Sequence, residues 1–236
     1  MYLPFKVEYI LMYFLKYYKG VKANMKPIFI TATNTNIGKT YTTIKLISEF
    51  SNRGYKVGVF KPIETGVKDT PEDAAALLHE VAKYNKNFVG LKPKDITAYT
   101  FKLPASPFCA SSFINLKTIH AKYQELSLLC DILLIEGAGG LMVPILEDYF
   151  MIDLAKELNA KVLLITPSRL GMINDTMLSI EALKKHNMDF NWAVNLFEDI
   201  DSFDLVTKPF LDAHFKSYSS IQKDMTTIVD QLIEEA

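Results

Sequence analysis

The chain has 236 residues, 49% of them apolar and 22% charged, with a formal net charge of −1 at pH 7 and a pI near 6.4. This is enough chain for one sizeable core, and the near-neutral balance excludes a general attraction to nucleic acid or an anionic membrane, so neither is expected as a partner. The cysteines, Cys109 and Cys130, lack Cys-x-x-Cys spacing, which argues against a disulfide framework or a zinc site and for a reducing compartment, the cytoplasm by default.

Met1 to Asn24 is rich in Tyr, Phe and Leu but is interrupted by Lys6, Glu8 and Lys16. It is too short and too charged to span a bilayer and has no small-residue cleavage site. It reads either as a translation-start artefact ahead of Met25 or as an extension packing as an extra amphipathic helix, with membrane contact a third option. Residues 25–236 read as a single domain.

Lys26-Pro27-Ile28-Phe29-Ile30 has the unbroken apolar character of a buried parallel strand. It runs into a polar loop, Thr33-Asn34-Thr35-Asn36-Ile37, and then Gly38-Lys39-Thr40. A helix follows from Tyr41 to Phe50, with Ile44, Ile47 and Phe50 on one face. A strand, a short loop and a helix N-terminus in that order make a phosphate cradle: backbone N–H groups converge, the helix dipole adds partial positive charge, and a lysine reaches the terminal phosphates. Asn36, Ile37, Gly38, Lys39, Thr40 and Tyr41 are therefore the candidate nucleotide contacts, with the Thr40 hydroxyl placed for magnesium. The usual motif begins with glycine where this chain has Thr33.

Lys56 to Phe60 reads as a second strand, ending in a polar loop, Lys61-Pro62-Ile63-Glu64-Thr65-Gly66. Pro71-Glu72-Asp73 opens a helix through Val81. Tyr99 to Phe101 reads as a short strand, Leu116 to Leu129 as a helix, and Asp131 to Ile135 as a central strand ending on Glu136-Gly137-Ala138-Gly139-Gly140. Then come a helix at Tyr149 to Leu158, a strand at Lys161 to Thr166, a loop at Pro167 to Gly171, and a helix from Asn174 to His186. A strand at Trp192 to Asn195 and a helix from Met225 complete the pattern. Strand and helix alternation of this kind predicts an α/β fold, a mostly parallel doubly wound sheet flanked by helices.

In such a sheet the strand C-termini form one rim, where ligands bind. Thr35, Lys39, Thr40, Lys61, Thr65 and Glu136 all fall on it. A carboxylate facing a phosphate loop suits magnesium, which takes hard oxygen ligands and shares them with phosphates. The glycines after Glu136 suggest backbone passing close to a ligand. Asp73, in a first helical turn, also has a purely structural use there.

Four ordered blocks, Thr33 to Thr40, Lys61 to Gly66, Glu136 to Gly140 and Leu170 to Asn174, together resemble the dethiobiotin synthetases, P-loop NTPase-like carboxylases of biotin synthesis. Tyr99 to Phe101 with Ala105-Ser106-Pro107 is a softer match. The resemblance spans nearly all of Lys26 to Asn195. It implies that ATP and Mg2+ drive the joining of CO2 to 7,8-diaminopelargonate through a carbamate and its phosphoric anhydride. It implies catalytic roles for Lys39, Lys61 and Thr35, and metal ligation by Thr40, Asp73 and Glu136. Thr35, Lys61, Thr65, Glu136, Gly139 and Gly140 would meet substrate. Gly171, Met172, Ile173 and Asn174 would be supplied by the second subunit of a homodimer, and Asn195 would read adenine.

Asn36 departs from the family, which often has an acid there, and Leu196 to Ser220 lacks a Pro-containing base clamp. Other nucleoside triphosphates therefore stay open as co-substrates. The rival reading is a partitioning or cell-division switch ATPase of the same fold. That class carries a second lysine early in the loop, where this chain has Asn34.

Overall fold

The structure is a computed structural model that describes residues 25–111 and 113–234; the expectations for Met1 to Asn24 lie outside the described residues. Strand β1 (Ile28–Ala32) is buried at every position and occupies the middle of a seven-stranded sheet of order β3-β2-β4-β1-β7-β8-β9. All of its pairings are parallel. Its members besides β1 are β2 (Val57–Thr65), β3 (Thr97–Phe101), β4 (Ile132–Gly140), β7 (Lys161–Pro167), β8 (Phe190–Asn195) and β9 (Ser219–Ser220). Helices α1 (Lys39–Asn52), α2 (Glu72–Val81), α3 (Pro107–Ala110), α4 (Leu116–Ser127), α5 (Met151–Glu157), α6 (Met172–Lys185), α7 (Lys208–His214) and α8 (Met225–Ile233) flank it. This is the predicted α/β arrangement. Among the described residues, no helix is long and apolar enough to cross a membrane.

The helices form where apolar residues recur on one face. In α1 that face is Thr42, Thr43, Leu46, Ile47 and Phe50, with Lys39 at its start. Ile44, expected on it, is only half-buried. Helix α2 begins behind Pro71 with Glu72 and Asp73 in its first turn and buries Ala74, Leu77, Leu78 and Val81.

The stretch from Lys61 to Thr65, predicted as loop, is strand. Over Val57 to Phe60, β2 pairs with β4; from Lys61 to Thr65 it pairs instead with β3. The β4 side is thereby released, and Pro62, which has no N–H to donate, is accommodated. Strand β4 likewise runs past Ile135, its predicted end, because Glu136 and Gly140 stay in register with Ile30 and Ala32 of β1. The register slips between those two pairs, so Gly137, Ala138 and Gly139 form a bulge, with Gly139 at φ 67. Bulges of this sort re-aim backbone beside binding sites.

A two-stranded hairpin, β5 (Pro144–Leu146) with β6 (Tyr149–Phe150), replaces the first turn of the helix expected from Tyr149. Strand β9, not predicted, extends the sheet beyond β8.

Candidate active site

The phosphate loop owes its shape to two residues with left-handed backbone, Asn36 (φ 59) and Gly38 (φ 96). Asparagine tolerates this conformation better than most residues, which gives Asn36 a conformational role. At Gly38 a Cβ would lie 2.1 Å from Asn195 Nδ2, so any side chain there must displace the Asn195 amide. The loop is tied to the sheet by Thr33 N–H, which donates to Ile165 O at 3.0 Å. Lys39 folds back over it, and its ammonium donates to Asn34 O at 3.1 Å. With only 7% of its surface exposed, Lys39 has its pKa pushed down to about 8, by burial first and by the neighbouring Lys61 charge second, against the pull of Glu136 and Asp73.

Beneath the loop lies a compact group of charges. Lys61, 2% exposed, donates to Asp73 Oδ2 at 2.8 Å and to Glu136 Oε1 at 2.6 Å. Glu136 is fully buried, and its other oxygen accepts the Thr43 hydroxyl at 3.0 Å. Burial opposes the charge on Lys61, but Glu136 and Asp73 outweigh it and hold the amine protonated far above its ordinary range. Burial likewise disfavours the Asp73 carboxylate, but the charge and hydrogen bond of Lys61, with the Thr40 hydroxyl, keep its pKa below normal. Lys61 and Glu136 each stand one residue past Phe60 and Ile135, the last partners in the β2–β4 ladder.

The Thr40 hydroxyl oxygen is 2.9 Å from Asp73 Oδ1 and 2.9 Å from Glu136 Oε1. Octahedral magnesium with oxygens at about 2.0–2.1 Å puts adjacent ligands roughly 2.9 Å apart, the spacing of the Thr40 oxygen from each carboxylate, while the Lys61 ammonium holds the same Glu136 Oε1 at 2.6 Å. Among the described residues, no cluster of three or more His, Cys, Asp or Glu forms a metal site. A hydroxyl with two carboxylates accords with an ion that completes its shell from phosphate and water.

A cavity of about 630 Å³ opens above this group. Of the predicted residues, Thr35, Asn36, Gly38, Lys39, Thr40, Lys61, Thr65, Asp73 and Gly139 line it. Glu136 lies below, reached through Thr40 and Lys61. Gly140 packs on the phosphate-loop backbone, where a Cβ would meet Ala32 O at 3.1 Å and Thr33 O at 3.2 Å. Ile37 is buried. Tyr41 is exposed outside the cavity, with the Lys45 ammonium 5.1 Å from its ring centre.

Gly171, Met172, Ile173 and Asn174 are not part of the cavity lining. Only Gly171 precedes α6; the other three form its first turn, and Met172 is fully buried with Val194, Phe203 and Leu211. Asn195, at the end of β8, donates from Nδ2 to Ile37 O at 2.9 Å, joining that strand to the phosphate loop.

Two contributors escaped sequence reasoning. Glu64 accepts the backbone N–H groups of Asp73 and Ala74, each at 3.0 Å, and so anchors the N-terminus of α2 that carries Asp73. Burial raises its pKa against those two hydrogen bonds. Thr43 is the other, and its place one turn after Lys39 was the available signal. The cavity wall also includes Pro104 to Pro107.

A family model described as an AAA domain matches residues 26–194. The ATP-dependent dethiobiotin synthetase of a Sulfurovum species is 59% identical over 203 residues, covering 85% of this chain and 97% of its own. That of Wolinella succinogenes is 41% identical over 191 residues, covering 79% and 88%. Among solved structures, a plasmid partition protein from Borrelia burgdorferi bound to AMPPNP aligns with a TM-score of 0.53 at 13% identity over 84% of this chain and 86% of its own. At that identity the likeness concerns the fold alone. The phosphate loop, the fold and identity sustained across nearly the whole length of these relatives lead to one conclusion: the chain belongs to the ATP-dependent dethiobiotin synthetase family of ligases.

Proposed function

We propose that the chain makes dethiobiotin from 7,8-diaminopelargonate, CO2 and ATP, with residues 25–236 working as one domain. One amine adds to CO2 and loses a proton, giving a carbamate. A carbamate oxygen attacks the γ-phosphorus of ATP and ADP leaves. The second amine then attacks the carbon of the mixed anhydride and expels phosphate, which closes the ureido ring. Little covalent work falls to the protein, so positioning and charge neutralisation dominate.

The observation that carries this reading is the convergence of Lys39, Lys61, Thr40 and Asp73 on one cavity floor, with Glu136 directly beneath it. Lys39, freed from Asn34 O, would neutralise the transferring phosphoryl group. Lys61 would move from the carboxylates to the carbamate and phosphoryl oxygens. Thr40, Asp73 and Glu136 would hold magnesium, which supplies positive charge to the phosphate oxygens. Thr35, Thr65 and Gly139 would face the diamine and its carbamate. Gly171 to Asn174 of a second copy would take the acid end of the substrate in a homodimer, where the first N–H groups of α6 can hold a carboxylate.

The test is phosphate release with magnesium, ATP and bicarbonate, with and without the diamine, while product is followed by mass. Diamine-dependent release with a ureido product supports the reaction. Release that ignores the diamine, with no new product, overturns it in favour of a switch-type ATPase.

A further inference from the structure

Beyond Asn195 the chain supplies an amide of its own. Gln222, just after β9, accepts the Leu196 backbone N–H on Oε1 at 2.9 Å and donates from Nε2 to Asn195 Oδ1 at 2.6 Å. Asn195 passes the pattern on, donating to Ile37 O at 2.9 Å. The orientation of both amides is fixed, because a backbone N–H at one end can only donate and a carbonyl at the other can only accept. Asn195 is only 3% exposed, whereas Gln222 is exposed above it.

Besides a long contact from the Ser220 hydroxyl at 3.5 Å, Gln222 satisfies a backbone donor and an amide acceptor side by side. That is the pair an adenine edge requires, since its exocyclic amine donates and the adjacent ring nitrogen accepts. A primary amide presents the same donor and acceptor at similar spacing. We propose that Gln222 is a removable stand-in for the nucleotide base: its side chain occupies the base-edge positions on Leu196 and Asn195 and leaves when the base arrives.

The inference rests on the reading of Asn195 as a base contact. It makes Gln222 a determinant of how strongly the base, as opposed to the phosphates, is held. A tethered amide competes at high effective concentration, and the incoming base replaces its hydrogen bonds one for one. The base therefore adds little net affinity, and the phosphate loop carries most of it.

The test is calorimetric binding of ADP and of inorganic tripolyphosphate, which has no base, to the wild-type chain, Gln222→Ala and Gln222→Glu. The glutamate variant keeps the size and the acceptor toward Leu196 but loses the donor toward Asn195, and so guards against a loop collapse in the alanine variant. The glutamate variant removes one competing hydrogen bond and is expected to tighten ADP binding roughly fivefold; the alanine variant removes both and should tighten it at least as much, with tripolyphosphate affinity unmoved in each. Equal or weaker ADP binding by both variants overturns the proposal, as does a change that appears equally with tripolyphosphate. No diamine is present, so failure of the proposed reaction leaves this comparison standing, and an ADP affinity indifferent to Gln222 leaves the reaction standing.

Discussion

Replacing Lys61 with methionine removes the one ammonium that bridges Asp73 and Glu136 while keeping most of the side-chain volume. Breaking a buried ion pair by deleting one partner costs about 3–5 kcal/mol, because the other charge is left uncompensated. The lower end applies here. Glu136 keeps the Thr40 and Thr43 hydroxyls, and the Asp73 side chain is 42% exposed and can turn to water. A loss of about 3 kcal/mol corresponds to a fall of roughly 6–12 °C in melting temperature for a domain of this size. The assay is urea unfolding of wild type, Lys61→Met, Glu136→Gln and the double variant, without magnesium or nucleotide. Because the two side chains meet at 2.6 Å, the double variant should be more stable than the sum of the single losses by about 2 kcal/mol. Additive losses, or a Lys61→Met variant within about 1 kcal/mol of wild type, would refute the account of a paired buried charge.

Lys39, with its pKa depressed to about 8, is mostly neutral in the free protein above that pH. Phosphate favours the protonated amine, so nucleotide binding at pH 9 should take up a proton and weaken as pH rises, read as a buffer-dependent heat of binding that Lys39→Met abolishes. Gly38→Ala is expected to lose nucleotide binding and more than about 1 kcal/mol of stability, since a Cβ there meets both a positive φ and the Asn195 amide; native melting and unchanged ADP affinity would count against it. Glu64→Gln leaves one acceptor for two N–H donors at the start of α2. It should cost about 1 kcal/mol and weaken magnesium binding through Asp73, checked by melting and by metal titration.

Much of the site was legible because its residues follow strands. Lys39 and Thr40 sit where a loop meets a helix, and Glu136 ends an unbroken apolar run. Lys61 reaches the rim in a way the sequence pattern does not record: it lies inside β2, not in a loop after it, and it faces the cavity because β2 exchanges β4 for β3. A change of partner is a long-range event that local alternation does not record. Glu64 was missed for the same reason, since its value comes from N–H groups of the following helix. Strand β9 is two residues long and owes its place to register with Ala193 and Val194, which no local pattern signals.

The parting of β2 from β4 directly ahead of Lys61 and Glu136 sets stability against activity. Zipping the two strands further would add backbone hydrogen bonds, yet it would draw together the walls that make room for the reactants. A variant selected only for a higher melting temperature would therefore be expected to extend this ladder and to lose turnover in proportion. The pairing that β2 and β4 forgo with each other beyond Phe60 and Ile135 is best understood as cohesion left unused so that the sheet can hold a reaction.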